Sequence, residues 1–450
     1  MANDPTIGAC ILGSNIPGPS PEPFSSLNTD SKLKVKIIKS TTKTIFPIVN
    51  CNIDLYNTLD NIKSQYNNDR FLSARNATNP FENIGLSTFF DRASVKLANI
   101  DAIFDLTSHQ VFDQEGKLIE ISAAFAGLLA PQSMDRFTFC DVAGGPGGWT
   151  QYLQYRRLGA EGLGITLKDK RLSWNEDIVD MDRFQYTYGE DDSGNLYVNS
   201  NYFINYVLNN YTEGVDLVCA DGGFDVQGNE RMQETLTTRL ILCECLVAIK
   251  TVKENRHFVC KVFDTVSQFM SDLIYCVSLC FKEVFLFKPM SSRPANSERY
   301  LVCKYLISSK RDEVFKILDK VFSSYSDDVF VSQIFESLPV NFEEWITEHN
   351  NLSLSSQIEV GENILRVLKN EPIDIPMYNL YKALMLWNIP DNNDNVVCKP
   401  VYPRRYKGNG FLPRTTPKAF KFNNTASEYK MKMGKKNLNL IRCNTNNINN

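Results

Sequence analysis

The sequence lacks long apolar runs and is poor in histidine. It contains no stretch of about 18 uninterrupted apolar residues, so we expect no membrane span. Its N-terminus has no basic segment followed by an apolar one, which predicts an intracellular protein, nuclear or cytoplasmic, rather than a secreted one. Three histidines, and twelve cysteines without zinc-binding spacing, favour reduced, buried thiols and predict no metal site.

Charge is distributed unevenly along the chain. The net charge of the 450 residues is −4, yet the segment from Lys399 to the end contains twelve Lys or Arg and one acid, Glu428. That segment therefore carries +11 and the remainder −15. A basic tail on an acidic body favours a polyanionic partner such as RNA, and a solvated tail without a specific role is the alternative.

Composition and periodicity divide the chain into five segments. Apolar residues make up 43% of the chain, which is enough for a real core. Residues 1–50, rich in Pro, Ser, Asn and Thr, are expected to form a loosely ordered arm with one β-like patch, LKVKIIKS. The other expected segments are a helical part at 51–130, an α/β core at 131–308, a helical extension at 309–390 and a basic, Asn-rich, disordered tail at 391–450.

Apolar runs alternate with helical patterns inside the core segment. The expected strands are residues 136–142, 162–167, 215–223, 257–263, 282–289 and 299–306. Such alternation predicts a largely parallel sheet with helices on both faces. Since no helical pattern separates the last two strands, we expect them to pair antiparallel.

A glycine-rich loop, AGGPGGW, follows the first of these strands. Ligands of open α/β sheets bind at the carboxyl ends of the strands, where glycine permits close approach to the backbone. The loop matches neither the G-x-G-x-x-G of dinucleotide sites nor the G-K-[ST] ending of phosphate loops. S-adenosylmethionine, with Asp141 beside its amino group, and a purely structural turn are the two interpretations left.

Charged residues occur near the ends of other predicted strands. Asp221 ends one strand, Lys261 interrupts an apolar one, Glu298 precedes the last, and Lys96 lies in a helical pattern upstream. Each could form an ordinary salt bridge, a helix cap or a solvated face. Together they would suit methyl transfer to a sugar hydroxyl, because a partly desolvated lysine beside another cation can lose its proton near neutrality and act as a base.

The ordered set of motifs resembles the 2′-O-ribose methyltransferases with an FtsJ-type (RrmJ-like) Rossmann domain, and among them the mRNA cap-1 enzymes. The matching stretches are ARNATNPFE, FFDRASVKLANID, DVAGGPGGWTQYL, GLGITLK, ADGGFDVQGNERMQE, FVCKVFD, FKPMSSRPANSERYLVCK and LMLWNIPD. The resemblance implies a Rossmann-like, S-adenosyl-L-methionine-dependent methyltransferase sheet with helices on both faces and a terminal antiparallel strand.

The implied activity is methylation of the ribose 2′-OH on the first transcribed nucleotide of 5′-capped mRNA, from cap-0 to cap-1. Ribosomal RNA as the substrate, or a catalytically silent RNA-binding subunit on the same fold, are the alternatives. Other capping or transcription components are implied partners. The chain stops before the guanylyltransferase-like and WW modules of the cellular enzymes, which implies a compact relative, viral or from a protist.

The resemblance also assigns roles to individual residues. The family's Lys-Asp-Lys-Glu tetrad falls on Lys96, Asp221, Lys261 and Glu298, with Lys261 as the general base. The implied cofactor contacts are Asp91, Asp141, Gly145, Gly147, Asn195, Leu196 and Asp221. The implied contacts to RNA or its cap are Lys63, Arg75, Glu230 and Asn296. Asp91 and Asn195 replace an asparagine and an aspartate of the cellular relatives, so we expect cofactor binding of altered strength.

Overall fold

The computed structural model describes the central part of the chain. The described residues are 23–25, 34–41, 47–66, 69–82, 84, 89–107, 136–157, 159–223, 232–326, 328–373, 375, 378, 383–384, 387 and 389. The predicted tail at 391–450, most of the predicted arm and Glu230 lie outside these ranges. No helix within them is both long and apolar enough to cross a bilayer.

A seven-stranded sheet forms the centre of the molecule, with the strand order β4-β3-β2-β5-β6-β8-β7. Its strands are β2 (Phe137–Val142), β3 (Ala160–Ile165), β4 (Phe184–Thr187), β5 (Val215–Ala220), β6 (Val252–Val262), β7 (Phe281–Phe287) and β8 (Arg299–Leu306). Neighbouring strands from β4 to β6 pair parallel, whereas β8 runs antiparallel to both β6 and β7. The predicted sheet and its antiparallel last strand are confirmed, and β4 is the strand that the sequence patterns did not predict.

Helices cover both faces of this sheet. The described helices are α1 (Ile53–Ser64), α2 (Phe71–Ala77), α3 (Arg92–Phe104), α4 (Gly148–Arg156), α5 (Leu196–Asn210), α6 (Gln233–Thr251), α7 (Gln268–Ser278), α8 (Ser308–Phe322) and α9 (Val340–Leu368). Side chains alternate between the faces along a strand, so Cys140 and Val142 of β2 pack with α5 to α7. Phe137 and Phe139 pack on the opposite face with α3 and α4.

A second, two-stranded sheet joins the N-terminal arm to the C-terminal extension. Strand β1 (Val35–Ser40) pairs antiparallel with β9 (Phe330–Phe335), and Phe24 forms an isolated bridge with Val284 of the central sheet. The β-like patch in the arm is therefore a strand with a defined partner. The expectation of a purely helical extension at 309–390 is wrong at β9, because that segment supplies the partner strand.

Candidate active site

The sheet topology brings the four predicted catalytic residues to one edge. Asp221 follows β5, and the parallel pairing of Ala220 with Cys260 sets it beside Lys261 of β6. Glu298 directly precedes β8, which pairs antiparallel with β6. Lys96 reaches the same place from α3, on the face of the sheet that carries α3 and α4. The four residues, called the tetrad below, thus come from four separate elements.

Two short ion pairs connect the tetrad. The Lys96 ammonium lies 2.8 and 2.9 Å from the two carboxylate oxygens of Glu298. The Lys261 Nζ lies 3.2 Å from Asp221 Oδ1 and donates to the Asp221 carbonyl oxygen at 2.7 Å. No tetrad side chain is more than 16% exposed, so these charges interact in a partly desolvated environment.

Two hydroxyl groups that sequence reasoning missed bind the tetrad carboxylates. The buried Tyr300 hydroxyl lies 2.9 Å from Asp221 Oδ1 and 3.3 Å from Glu298 Oε1. The Ser292 hydroxyl donates to Glu298 Oε1. Tyr300 is also the cross-strand partner of Lys261 in the β6–β8 ladder. Its position two residues after Glu298, on the same side of an extended segment, is a signal that the sequence did contain.

The charges of the site set the protonation of its lysine and its acid. Burial alone would disfavour the Lys261 ammonium, but the Asp221 and Glu298 carboxylates hold the pKa of Lys261 above its ordinary value. Lys96 and Lys261 hold the pKa of the buried Glu298 well below its ordinary value. In the protein alone, the neighbouring carboxylates therefore favour the charged form of Lys261.

The glycine loop runs from the end of β2 into α4, beside the tetrad. A Cβ on Gly145 would lie 1.7 Å from the carbonyl oxygen of Leu172, so only glycine fits there. Gly147 has φ of 109°, a conformation that L side chains rarely adopt, and a Cβ on it would lie 2.7 Å from Val179 Cγ2. Both glycines are therefore required by the close approach of the neighbouring turn.

Two predicted cofactor residues lie against this loop. Asp141 is fully buried, its Oδ2 accepts from the Thr150 hydroxyl at 2.7 Å, and a Cβ on Gly144 would lie 2.1 Å from its Oδ1. Desolvation raises the pKa of Asp141 to about 7. Asp91 is the N-cap of α3, where its carboxylate accepts from the Ser94 amide at 3.1 Å. These contacts give both acids a role in holding the loop and α3 in place.

A cavity of about 540 Å³ opens in front of the loop. The predicted site residues that line it are Gly145, Asn195, Leu196, Asp221, Lys261 and Glu298. Asn195 is the N-cap of α5 and accepts from the Tyr197 amide at 2.9 Å. The volume of the cavity falls within the usual range of about 300–1,000 Å³ for small-molecule sites. The cavity therefore joins the glycine loop to the tetrad.

The residues predicted to face the RNA are more dispersed. Asn296 lines the same cavity as the tetrad. Lys63 of α1 donates to Gln357 Oε1 of α9 at 3.1 Å, and Arg75 of α2 lies with its guanidinium 5.9 Å from the Phe71 ring. Asn296 therefore lies at the tetrad, whereas Lys63 and Arg75 lie on the helices α1 and α2.

The NPFE and SRPANSE motifs meet in space. Glu82 of the first motif accepts from Arg293 of the second at 3.3 and 3.4 Å, and its carboxylate lies 3.4 Å from Arg92. Arg92 also donates to the Ser291 carbonyl oxygen at 3.2 Å. These contacts fix the loop before Glu298 to the start of α3, whose Lys96 completes the tetrad.

The comparisons with known proteins agree with this geometry. Residues 89–306 match the model of the FtsJ-like methyltransferase family. The chain is 34% identical over 362 residues to the Cap-specific mRNA (nucleoside-2′-O-)-methyltransferase 1 of Mus musculus, covering 76% of this chain and 42% of that protein. The protein of the same name from Homo sapiens is 34% identical, covering 71% of this chain and 39% of that protein.

The Drosophila melanogaster protein of the same name is 40% identical over 237 residues, which cover 52% of this chain and 29% of that protein. The chain thus matches less than half of the length of these curated relatives. The family match begins three residues before α3 and ends with β8, so it contains the whole tetrad and the glycine loop. The family that residues 89–306 of this chain match is therefore that of the FtsJ-like methyltransferases.

Proposed function

We propose that this protein methylates the ribose 2′-hydroxyl of the first transcribed nucleotide of capped mRNA, converting cap-0 to cap-1, with S-adenosyl-L-methionine as the methyl donor. The observation that carries the proposal is the tetrad of two lysines and two carboxylates beside a glycine-lined cavity. The names of the relatives, cap-specific mRNA methyltransferases, support mRNA caps as the substrate class.

The cavity residues fit the proposed donor. Gly145 lines the cavity without a side chain, and Asn195 and Leu196 line it together with the tetrad residue Lys261. Asn195 has an amide that can pair with an adenine edge, and Leu196 offers an apolar surface. S-adenosylmethionine, when bound, supplies an electrophilic methyl group. Asp221, which also lines the cavity, would attract the donor's ammonium group.

The tetrad would prepare the ribose hydroxyl for attack. A neutral Lys261 amine would accept the hydroxyl proton, and the Asp221 carboxylate would hold this amine in line with the cavity. The ion pair between Lys96 and Glu298 would hold both side chains in place. The Lys96 ammonium would then lie near the developing alkoxide and stabilise its negative charge. Because only the neutral amine can act as the base, the fraction of Lys261 that is ready to accept the proton grows as the pH rises towards its pKa.

Transfer of a labelled methyl group from S-adenosylmethionine tests this proposal. Matched RNAs of one sequence would carry an N7-methylated cap, an unmethylated cap or a 5′-triphosphate. We expect transfer to capped RNA only, and a loss of transfer in Lys261→Ala. Equal transfer to all three RNAs would reject the cap and favour ribosomal RNA or another target. No transfer to any RNA would favour the catalytically silent subunit.

We further propose that residues 131–308 form the catalytic core, that 51–130 lie on its substrate side and that the basic tail at 391–450 strengthens RNA binding. Removal of residues 399–450 deletes a charge of +11. Since each phosphate contact adds to the salt dependence of binding, this deletion should weaken RNA affinity and flatten its dependence on salt. An unchanged affinity at every salt concentration would reject the role of the tail.

A further inference from the structure

A lysine outside the tetrad binds the backbone that carries Glu298. Lys288 is the first residue after β7, and its Nζ donates to the carbonyl oxygens of Asn296 and of Glu298, the latter at 3.1 Å. Asn296 and Glu298 both line the cavity. One ammonium group thus holds the backbone of Asn296, the proposed cap contact, and of Glu298, a member of the tetrad.

The first half of the same loop is held by different contacts. The Met290 amide donates to Asn99 Oδ1 of α3 at 2.8 Å, and the Ser291 carbonyl oxygen accepts from Arg92. In the second half, Asn296 also bonds within the loop, through its amide to the Arg293 carbonyl oxygen at 3.2 Å. Lys288 adds a link from the backbone of this half to the sheet, because its side chain extends from the end of β7.

We propose that Lys288 is a positioning residue, whose ammonium clamps the backbone between Asn296 and Glu298 and so aligns cap recognition with the methyl-transfer site. This inference rests on the proposed function. A displacement of about 1 Å at a reacting group can cost on the order of 100-fold in rate, so a side chain that contacts only the backbone of Glu298 can still control the chemistry.

The surroundings of Lys288 give the clamp a dependence on pH. Burial lowers the pKa of Lys288 to about 7, and the positive charges of Arg299 and Lys96 lower it as well. The carboxylates of Glu298 and Asp264 raise this pKa but do not outweigh burial. Below this pKa, Lys288 is a charged ammonium, and both of its hydrogen bonds are strengthened by the charge. This charge is lost as the pH rises through the pKa.

Steady-state kinetics of Lys288 variants on capped RNA at pH 6.5 tests the inference. In Lys288→Met we expect kcat to fall and the KM for capped RNA to rise, each by about 10-fold or more, because both clamped residues shift. The dissociation constant of S-adenosylmethionine, measured by calorimetry, should change by less than about threefold. Lys288→Arg should restore most of the activity and keep it at pH 8, where the wild-type clamp has lost its charge.

Lys282→Met is the matched control. Lys282 lies near the opposite end of β7 and donates to Asn255 Oδ1 at 3.0 Å, so its loss should leave both constants unchanged. A Lys288→Met enzyme with wild-type kcat and KM would overturn the inference, as would a loss confined to thermal stability. If Lys288→Met does not fold, Lys288→Gln is measured in the same way. A wild-type protein inactive on capped RNA would instead reject the proposed function.

Discussion

Alanine at Gly145 is expected to distort the proposed cofactor cavity. Its Cβ would lie 1.7 Å from the Leu172 carbonyl oxygen, 2.8 Å from the Leu172 carbonyl carbon and 3.0 Å from Thr166 Cγ2. Since ordinary contact begins at 3.4 Å, the loop and the Leu172 turn must separate by about 1.7 Å. The Asn175 amide donates to the Pro146 carbonyl oxygen at 3.0 Å and resists this separation.

Overpacking of this kind typically costs about 1–3 kcal/mol. If most of this cost falls on the cavity that binds the donor, the affinity for S-adenosylmethionine should drop by about 10- to 100-fold, at roughly 1.4 kcal/mol per factor of ten. Isothermal titration calorimetry of Gly145→Ala with S-adenosylmethionine measures this loss directly.

Gly361→Ala is the control for a general loss of stability. A Cβ on Gly361 would lie 2.7 Å from Ile62 Cγ2 and 2.8 Å from the Tyr66 hydroxyl, where α9 packs on α1. It should lower the melting temperature without changing donor affinity, because these contacts lie outside the cavity lining. Wild-type donor affinity in Gly145→Ala would refute the assignment of the glycine loop to the cofactor.

Three further predictions concern the tetrad. Lys261→Met should reduce the single-turnover rate by about 10²- to 10⁴-fold, the usual contribution of a general base, while calorimetry shows donor affinity within about threefold of wild type. Asp221 and Glu298 raise the pKa of Lys261, so this lysine is mostly protonated at pH 6 to 7 and its neutral fraction increases with pH. The single-turnover rate should therefore rise between pH 6 and 7, and a flat profile would contradict the role of Lys261 as the base. Tyr300→Phe removes a buried donor to two carboxylates, at a cost of about 1.5–3 kcal/mol, and should slow turnover by roughly 10- to 100-fold, whereas an unchanged kcat would leave Tyr300 with a packing role only.

The sequence predicted the sheet and the location of the tetrad for a physical reason. Strands β2 and β5, and residues 257–260 of β6, are buried on both faces, so they stand out as short apolar runs, and polar residues at their ends are conspicuous. Asp221 and Lys261 were therefore identifiable without the structure. Their distance and pairing partner were not, because these depend on the register between separate strands.

Features that depend on distant partners could not be predicted. Strand β9 lies in a segment with helices on both sides, and it is a strand because it pairs with β1, whose Val35 lies 300 positions before its partner Phe335. The pKa of Lys261 depends likewise on two carboxylates contributed by other elements. The clamp formed by Lys288 follows a loop geometry that no local pattern encodes.

The position of the transferred methyl group tests the central proposal most directly. RNA with an N7-methylated cap would be incubated with the protein and S-adenosylmethionine, digested with nuclease, and its cap fragment analysed by mass spectrometry. We predict a single added methyl group on the 2′-oxygen of the first transcribed nucleotide in the wild-type product, and none in the Lys261→Met product. A methyl group on a base or on an internal ribose would contradict the proposal. An equal yield of the 2′-O-methylated product from the Lys261→Met variant would contradict it too.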